Sequence, residues 1–545
     1  MSNQSTPSLK DTTMAKLSFK EKLGYALGDG AANIAWRGVA TFLFIFYTDV
    51  FGLSPYTVGG LFLVARFSDG ISDVVMGILG DRTDTKYGKF RPWILWTALP
   101  LAVILSLLFT NPELGQNGKI VYAYITYIFF TLIYTANNIP YGALMAVMTS
   151  DDKERTSIGS FRMIGAFVGG MLVQGALLFL VAYFGNVNPQ IEVNQLAEEQ
   201  YKVEIIASRD VEHVNVKTDD GIATFKWEDA SADDDEPTNA KSFQMEEGKQ
   251  YAFVVEGEAR LTADKIRVID QTQGYSKAIY LLSILLAILM FITFATTKER
   301  VKPPSHQRAN LIQDFKDLLQ NKPWVVLLII GLLFNIYNSI KQGIVVIYFT
   351  HYLNDQLLSA SYLVALMLAS IAGAFVTTSL SRRFGKRKLF IYALIFSAVV
   401  NALLAFCTAE SVIPIFILGT ISEFGAAIFP TLFFVMLGDA ADYSEWKNGR
   451  RATGLVYSAG SFATKFGGGI AGAIIGLILG AYSYDGQDQQ AIQGAFPAMV
   501  MLMSWVPSIV ALLAAVVMSF YPLTSSKMAA ITTELNHRRQ RQIIS

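Results

Sequence analysis

Long apolar runs separated by short polar stretches repeat along most of the chain. A helix needs about 20 apolar residues to cross the hydrocarbon core of a bilayer. Twelve runs reach roughly this length; they cover residues 24–50, 56–80, 91–110, 119–148, 157–184, 275–296, 323–352, 359–381, 387–408, 412–438, 452–481 and 494–521. Several are longer than a perpendicular helix needs, which predicts tilted or bent helices. The pattern predicts an all-α polytopic membrane protein with twelve transmembrane spans, numbered here in this order.

One polar segment, residues 185–274 between spans 5 and 6, interrupts this pattern. It is rich in acidic residues and contains the run ASADDDEPTNAKS. Alternating stretches such as KVEIIAS, GIATFKW and DKIRVID predict short β-strands between turns. We expect a small β-rich domain here; the alternative is a partly ordered acidic loop.

The spans group into two sets of six, spans 1–6 and spans 7–12, which is the organisation of secondary transporters with a substrate site between the halves; the insertion falls within the first set. The predicted divisions are an N-terminal bundle of spans 1–5 (1–184), the insertion (185–274), span 6 completing that bundle (275–300), a cytoplasmic loop (301–322), a C-terminal bundle (323–521) and a cytoplasmic tail (522–545). A weak internal echo, GDRTDTKYGKFRPW against SLSRRFGKRKLF, follows the second span of each half. These basic clusters can equally be read as ordinary positive charge on the cytoplasmic side.

Composition agrees with a membrane protein. Of 545 residues, 52% are hydrophobic and 16% are charged, against about 25% charged in an average soluble domain. Lys and Arg concentrate in alternate loops and at both ends, which predicts cytoplasmic termini and an extracytoplasmic insertion. The single cysteine, Cys407, excludes an intrachain disulfide. The four histidines lie in separate segments, so we expect no resident metal or cofactor.

Span 2 contains three charges within LVARFSDGISDVVMGILGD. Arg66, Asp69 and Asp73 are spaced i, i+3 and i+7, so they share one face of a helix. An unpaired charge at the bilayer centre costs at least about 2.5–3.5 kcal/mol. We interpret the carboxylates as a site for Na⁺ or a proton, because hard cations prefer oxygen ligands. The alternative is a structural salt bridge, although Arg66 cannot neutralise both aspartates.

Span 11 carries Lys465 within YSAGSFATKFGGGIAGAIIG. Its many small residues allow neighbouring helices to approach closely, which predicts that the lysine faces protein or a cavity. An ammonium there can compete with a cation for the aspartates of span 2. The alternative is that Lys465 extends to the membrane interface.

Amide, aromatic and cationic side chains cluster in spans 1, 4, 5 and 7. Such groups can hydrogen-bond sugar hydroxyls and cover a sugar ring with an apolar face. We predict a sugar site formed by Asn33, Trp36, Arg37, Tyr134, Asn138, Tyr141, Arg162, Asn335, Lys341 and Gln342. Individually, each amide can instead serve as an interhelical hydrogen-bonding residue.

Several long motifs, in this order, resemble one family. YTDVFGLSPYTVGGLFLVARFSDGISDVVMGILGDRTDTKYGKFRPW, NIPYGALMAVMTSDDKERTSIGSFR and DAADYSEWKNGRRATGLVYSAGSFATKFGG are similar to the glycoside-pentoside-hexuronide:cation symporters. This is the branch of the major facilitator superfamily that includes melibiose permease. The resemblance covers nearly all spans and omits the insertion. It implies sugar transport by alternating access in the bacterial inner membrane, coupled to Na⁺ or H⁺.

The resemblance also implies roles for particular residues. The implied cation site is Asp69, Asp73 and Thr135, with Ser72 beside it; Lys465 faces it and Arg162 belongs to the sugar site. The loop GDRTDTKYGKFRP resembles the superfamily's cytoplasmic gate, with Asp81, Arg82, Gly88, Lys89 and Arg91 as the gate residues.

Five departures from the family pattern affect the predicted sugar and cation specificity. Asn33 and Asn138 stand where melibiose permease has sugar-binding aspartates, and Ser72 stands where it has an asparagine. The predicted core also gains Arg37 and Lys341. We therefore expect a neutral or acidic glycoside, such as a xyloside or a glucuronide, in preference to a galactoside; Na⁺ and H⁺ both remain open.

Two other classes of function are compatible with a polytopic chain. A non-transporting sugar sensor has no need of the carboxylate pair in span 2. A membrane-embedded glycosyl-transferring enzyme needs convergent acid, base or metal-binding residues, and the sequence shows no such set. We therefore expect a transporter and not an enzyme, with a small sugar, a co-transported cation and the bilayer as partners. We expect no nucleic acid partner and a monomeric state.

Overall fold

The structure is a computed structural model that describes residues 16–149, 152–197, 200–218, 224–228, 243–256, 261–263, 266–300, 319–448 and 453–544. Helices dominate it. The first half of the molecule contains α1 (Phe19–Ile45), α2 (Pro55–Arg82), α3 (Arg91–Leu108), α4 (Gln116–Met148), α5 (Asp152–Gly185) and α6 (Gln271–Thr296). The predicted loop 301–322 lies mostly outside the described residues.

The second half begins at residue 322. It contains α7 (Lys322–Ile347), α8 (Gln356–Phe384), α9 (Lys386–Ala402), α10 (Val412–Ala426), α11 (Ile428–Asn448), α12 (Thr453–Ala481), α13 (Gln489–Gly494), α14 (Phe496–Met503) and α15 (Trp505–Ser519). Predicted span 10 is divided between α10 and α11, and span 12 between α14 and α15. A further helix, α16 (Ser525–Ile544), follows in the predicted tail.

Local sequence signals explain where the helices begin. Ser18 precedes α1 and forms a capping box with Glu21, in which each side chain accepts a backbone N–H of the other residue. Ser54 caps α2, and Asn321 caps α7. These side chains satisfy backbone donors that the first helical turn leaves free.

Within the described residues, nine helices are long and apolar enough to cross a membrane by length and composition. Helices α1 and α2 and the apolar stretch Lys465–Ala481 of α12 occupy the other three predicted spans. Apolar side chains on the outer faces, such as Leu99, Val103 and Ile284, are at least half exposed. An apolar exterior of this kind suits a lipid environment and not water.

The two halves meet most closely along α2 and α12. A methyl group placed on Gly59 would lie 3.0 Å from the carbonyl oxygen of Gly472 and 3.2 Å from the Cα atom of Gly476. Gly476 in turn lies against the carbonyl of Pro55. These contacts hold the halves together at the end that carries the 51–54 loop, because glycine alone permits such close helix packing.

The described residues of the predicted insertion form seven strands: β1 (Gln190–Ala197), β2 (Gln200–Ile206), β3 (Val211–Thr218), β4 (Thr224–Glu228), β5 (Phe243–Met245), β6 (Gln250–Glu256) and β7 (Ile266–Asp270). They form two antiparallel sheets with orders β1-β2-β6-β4 and β5-β3-β7. Val203, Ile205, Phe253 and Val268 belong to a shared buried cluster. The insertion therefore has a small core of its own.

Candidate functional site

A cavity of about 480 Å³ lies between the two halves. Its volume falls within the range of about 300–1,000 Å³ that is typical of small-molecule sites. The first half lines it with Asn33, Trp36, Arg37, Val39, Ala40, Phe44, Phe62, Arg66 and Tyr127, and the second half with Phe334, Asn335, Asn338, Ser339, Gln342, Gly343, Phe429, Pro430, Phe433, Phe434, Gly468, Gly472 and Ile475. Its walls combine apolar and aromatic surface with a few amide and cationic groups.

The structure brings half of the predicted sugar-binding residues to this cavity. They are Asn33, Trp36, Arg37, Asn335 and Gln342. Asn33 and Asn335 are fixed in the same way, since each amide nitrogen donates to the backbone carbonyl four residues earlier at 2.9 Å. One amide comes from α1 and the other from α7, so matching groups approach the cavity from opposite halves.

Two predicted residues of α4 form a layer behind the cavity wall. The ring of Tyr134 lies 5.2 Å from that of Trp36, centroid to centroid. Asn138 donates from its amide nitrogen to the Tyr134 hydroxyl at 2.8 Å. These contacts fix the orientation of Trp36, whose ring faces the cavity.

The other three predicted sugar-binding residues do not line the cavity. Tyr141 stacks on Tyr25, and each of these hydroxyls donates to the backbone carbonyl of the other residue. Arg162 forms an ion pair with Asp29 at 3.3 Å. The remaining residue is Lys341.

Lys341 is almost completely buried and is held within the second half. Its ammonium lies 3.0 Å from Glu423 and donates to the Tyr337 hydroxyl at 3.2 Å. Ser370 donates to the second oxygen of Glu423 at 2.8 Å. The ammonium and the carboxylate therefore neutralise each other inside the bundle, and both are hydrogen-bonded to hydroxyl groups.

The three charges of α2 separate into two ion pairs. Arg66 donates to Asp69 at 2.7 Å and to the Tyr127 hydroxyl at 2.7 Å, and its guanidinium lies 5.0 Å from the centre of the Trp36 ring. The Ser72 hydroxyl donates to the backbone carbonyl of Asp69. Arg66 and Asp69 are therefore fixed to each other and to the cavity wall within the first half.

Asp73, by contrast, connects the two halves. Its carboxylate oxygens lie 2.7 and 2.6 Å from the ammonium of Lys465 on α12. Thr135 of α4 donates to the same carboxylate at 3.2 Å. Both side chains of the ion pair are partly exposed, 19% for Asp73 and 17% for Lys465. Water or an ion can thus reach a contact that spans the interface.

Arg37 differs from the other intramembrane cations. Within the described residues it forms no ion pair within 4 Å, and its Nε atom is buried without a hydrogen-bond partner. Glu423 attracts it electrostatically, but that carboxylate already contacts Lys341. Arg37 is therefore a cation on the cavity wall whose Nε–H donor has no partner among the described residues.

The predicted gate residues extend from the last turn of α2, through the connecting loop, to the first residue of α3. Glu299, which follows α6, accepts the backbone N–H groups of Lys89, Phe90 and Arg91 at 2.7–2.9 Å. Gly88 has φ +107° and lies against the same carboxylate, a conformation and proximity that a larger residue would not tolerate.

The remaining gate residues differ in their surroundings. Arg91 also donates to the backbone carbonyl of Phe294 in α6, so this loop is attached to its own half. Arg82 is exposed. The side chain of Asp81 lies outside the described part of the structure.

The sequence did not predict several residues that hydrogen-bond to the predicted site and gate residues or to their partners. Glu299, Ser370 and Tyr127 are single polar residues whose partners lie far away along the chain. A repeat comparison could have found one relation: Asn33 and Asn335 occupy equivalent positions in the first helix of each half. The short matching stretches YTD and FTH, which end those two helices, carry this signal.

Comparisons with known proteins place this architecture in a family. The family model described as MFS/sugar transport protein matches residues 24–206 and 247–525. The isoprimeverose transporter of Lactiplantibacillus pentosus is 31% identical over 506 residues, covering 92% of this chain and 88% of that protein. The inner membrane symporter YicJ of Escherichia coli K12 is 29% identical over 533 residues, covering 96% of both chains.

The crystal structure of a D-xylose-proton symporter matches with a TM-score of 0.56 at 13% identity, covering 93% of this chain and 98% of that chain. At this identity the likeness shows the fold alone, which is that of the major facilitator superfamily. The chain belongs to the MFS/sugar transport family. It is a multi-pass membrane transporter and not an enzyme, as the sequence predicted.

Proposed function

We propose that this protein is a cation-coupled sugar symporter whose substrate binds in the cavity between the halves. The observation that carries this proposal is the composition of the cavity wall, where amides, an aromatic ring and an arginine converge from both halves. A site shared by two bundles opens to one side or the other when the bundles rock against each other. The symporter among the similar proteins supports the same reading.

The proposed cation site is the carboxylate of Asp73, with Asp69, Ser72 and Thr135 around it. In this structure the ammonium of Lys465 takes the proposed cation position, 2.6 Å from the carboxylate of Asp73. Because the lysine belongs to the opposite half, a movement of the halves can withdraw it. Na⁺ or a proton then replaces the ammonium on the carboxylate, so cation binding is linked to the conformational change.

The proposed substrate is a neutral or acidic glycoside. Asn33, Asn335 and Gln342 offer amides to sugar hydroxyls, while Trp36 offers a ring face. Arg37 can bind a carboxylate through two parallel hydrogen bonds, which suits a glucuronide. Tyr134, Asn138, Tyr141, Arg162 and Lys341 surround or support this site, and we keep them as candidates for contact in other states of the cycle.

We propose that both termini are cytoplasmic and that the insertion is extracytoplasmic. The end of the molecule with the gate residues Asp81, Arg82, Gly88, Lys89 and Arg91 is then the cytoplasmic end. The cavity lies between this end and the tightly packed glycines of α2 and α12. The described state is therefore closed toward the extracytoplasmic side.

Counterflow in proteoliposomes tests the proposal. We expect exchange of a labelled glucuronide or xyloside, stimulated by Na⁺ or by low pH, and weaker exchange of a galactoside. Arg37→Gln should reduce glucuronide exchange about tenfold or more, because hydrogen bonds to charged groups contribute about 1.5–3 kcal/mol.

The same variant should have much less effect on a neutral xyloside. Arg267→Gln, at an exposed position on β7 of the insertion, is the matched control and should leave both rates unchanged. An equal loss for both sugars would show that Arg37 supports the fold and does not select the substrate. Absence of exchange for every glycoside would contradict the proposed function itself.

A further inference from the structure

The first helices of both halves end in the same unusual way. Helix α1 continues into a π-helical turn, Phe46–Val50, and α7 continues into another, Tyr348–Tyr352. Asp49 and His351 are each the fourth residue of their turn. π-Helical turns are rare and are frequent at functional sites, and here they place two equivalent residues face to face.

These two residues contact each other across the boundary between the halves. The Nε2 atom of His351 lies 2.7 Å from one carboxylate oxygen of Asp49, and both residues are largely buried. Tyr484, which follows α12, donates to the other oxygen at 2.8 Å and lies 2.9 Å from the same imidazole nitrogen. Thr48 also donates to Asp49 at 2.7 Å.

More contacts between the halves surround this group. Gln487 donates to the backbone carbonyl of Asp49 at 3.4 Å. Gln356 of α8 donates to the hydroxyl of Tyr275 in α6 at 3.3 Å, and both residues are buried. The ring of Tyr275 packs against Phe46 in the π-helical turn of α1. Among the described residues, several polar contacts between the halves thus lie together at the end that carries the 51–54 loop.

The opposite end has different surroundings. Gly77 lies one helical turn beyond Asp73 on the same face of α2. A methyl group placed there meets nothing within 4 Å among the described residues. Among the described residues, α2 and α12 therefore pack tightly at Gly59, on the Asp49 side of the Asp73–Lys465 ion pair, whereas a side chain at Gly77, on the other side of that pair, would enter open space.

We propose that Asp49, His351 and Tyr484 form a lock that holds the two halves together on the extracytoplasmic side, and that this lock must open in each transport cycle. The proposal rests on the alternating access proposed above. An opening that separates the halves at this end must break the contact between Asp49 and His351, because each half carries one of them. The buried carboxylate then exchanges its partners for water.

The lock does not depend on the charge of the imidazole. Either a neutral ring protonated at Nε2 or a cationic ring can donate to Asp49. Tyr484 supplies a second donor from the second half, and Asp485 beside it adds a further carboxylate. The proposal therefore concerns the contact itself and not a particular pH dependence.

Accessibility of a cavity cysteine tests the lock. In a Cys407→Ser background, Ser339→Cys places a single thiol on the cavity wall. A membrane-impermeant maleimide is applied to right-side-out and to inside-out vesicles. The parent should react slowly from the extracytoplasmic side. Asp49→Leu and His351→Phe should each speed that reaction about tenfold or more, since each removes a charge-assisted hydrogen bond.

The exchanged variant Asp49→His/His351→Asp gives the decisive comparison. Because the two positions are equivalent in the two halves, the exchange should restore the contact and the slow reaction. Glu113→Gln, an exposed carboxylate in the loop between α3 and α4, should react like the parent.

Each single variant should also react more slowly from the cytoplasmic side, which distinguishes opening of the lock from loss of the fold. An unfolded variant would react quickly from both sides. The proposal is overturned if the single variants react like the parent, if both sides become faster together, or if the exchanged variant reacts as quickly as the single variants. An inverted orientation would interchange the two vesicle types without changing the ratios, and failure of sugar transport would not alter the labelling.

Discussion

Removal of the contact between Asp73 and Lys465 is the most informative perturbation of the proposed cation site. Asp73→Asn leaves the ammonium of Lys465 without its partner, and Lys465→Met leaves the carboxylate of Asp73 without its partner. For fully buried pairs such a change costs about 3–5 kcal/mol. The two side chains here are 19% and 17% exposed, so screening by water reduces the expected loss to about 2–3 kcal/mol.

The double variant Asp73→Asn/Lys465→Met separates structural support from ion coupling. It leaves no uncompensated charge at this position, so its free energy of unfolding should return to within about 1 kcal/mol of the parent. Thermal unfolding of the purified protein measures this recovery. Sugar exchange by counterflow should also persist, because neither residue lines the cavity.

Accumulation driven by an imposed cation gradient should nevertheless be lost in the double variant, because the carboxylate that binds the cation is gone. The pair Lys386 and Asp439, at 2.7 Å within the second half, supplies the control. The matched double variant of this pair, Asp439→Asn/Lys386→Met, should retain accumulation of sugar. If Asp73→Asn/Lys465→Met accumulates sugar as the parent does, the pair has a structural role alone and the proposed coupling is wrong.

Three further predictions concern the framework around the site. Gly476→Val should strongly reduce the initial rate of uptake, because its side chain would displace α2 at Pro55. The control Gly142→Val should not, because a side chain there would meet nothing within 4 Å among the described residues. Equal uptake rates for the two variants would contradict the packing argument. Glu299→Gln should lower stability to thermal unfolding by about 1–3 kcal/mol, since it weakens three backbone hydrogen bonds, and an unchanged midpoint would refute this role. Replacement of residues 190–265 by a short Gly-Ser linker should preserve transport, because the chain on either side is already joined by the hydrogen bond from Val187 N to Val268 O at 3.0 Å. Loss of uptake in a folded variant would assign the insertion a role in the transport cycle.

The helical framework could be predicted because each apolar run carries its own signal. The predicted spans coincide with helices even where the ends differ by several residues. The division of span 10 near Ala427 and of span 12 near Ser504 was not predicted, since an apolar run looks the same whether its helix is continuous or interrupted.

The pairing of charges could be predicted only in part. The spacing of Arg66, Asp69 and Asp73 predicts that they share one face of a helix, and they do lie on the single helix α2. Spacing does not predict which residue of another helix each of them contacts. Tyr127 and Lys465 decide which carboxylate is held within the first half and which one reaches the second. Those partners come from other helices, so their positions depend on tertiary packing.

The cavity shows the same limit. Amide, aromatic and arginine residues in α1 and α7 line it, whereas Tyr141, which is also aromatic, and Lys341, which is also cationic, are buried and do not line it. Helical periodicity alone could not separate these cases. The equivalence of Asn33 with Asn335 was available in principle, because the two halves repeat the end of their first helix.

Gradient-driven uptake by the purified protein in proteoliposomes tests the central claim most directly. An inward gradient of Na⁺ or of protons should drive a glucuronide or xyloside to a higher concentration inside than outside, and dissipation of that gradient should abolish the accumulation. If the sugar only equilibrates under both gradients while counterflow remains active, the protein is a uniporter and the proposed coupling through Asp73 is contradicted.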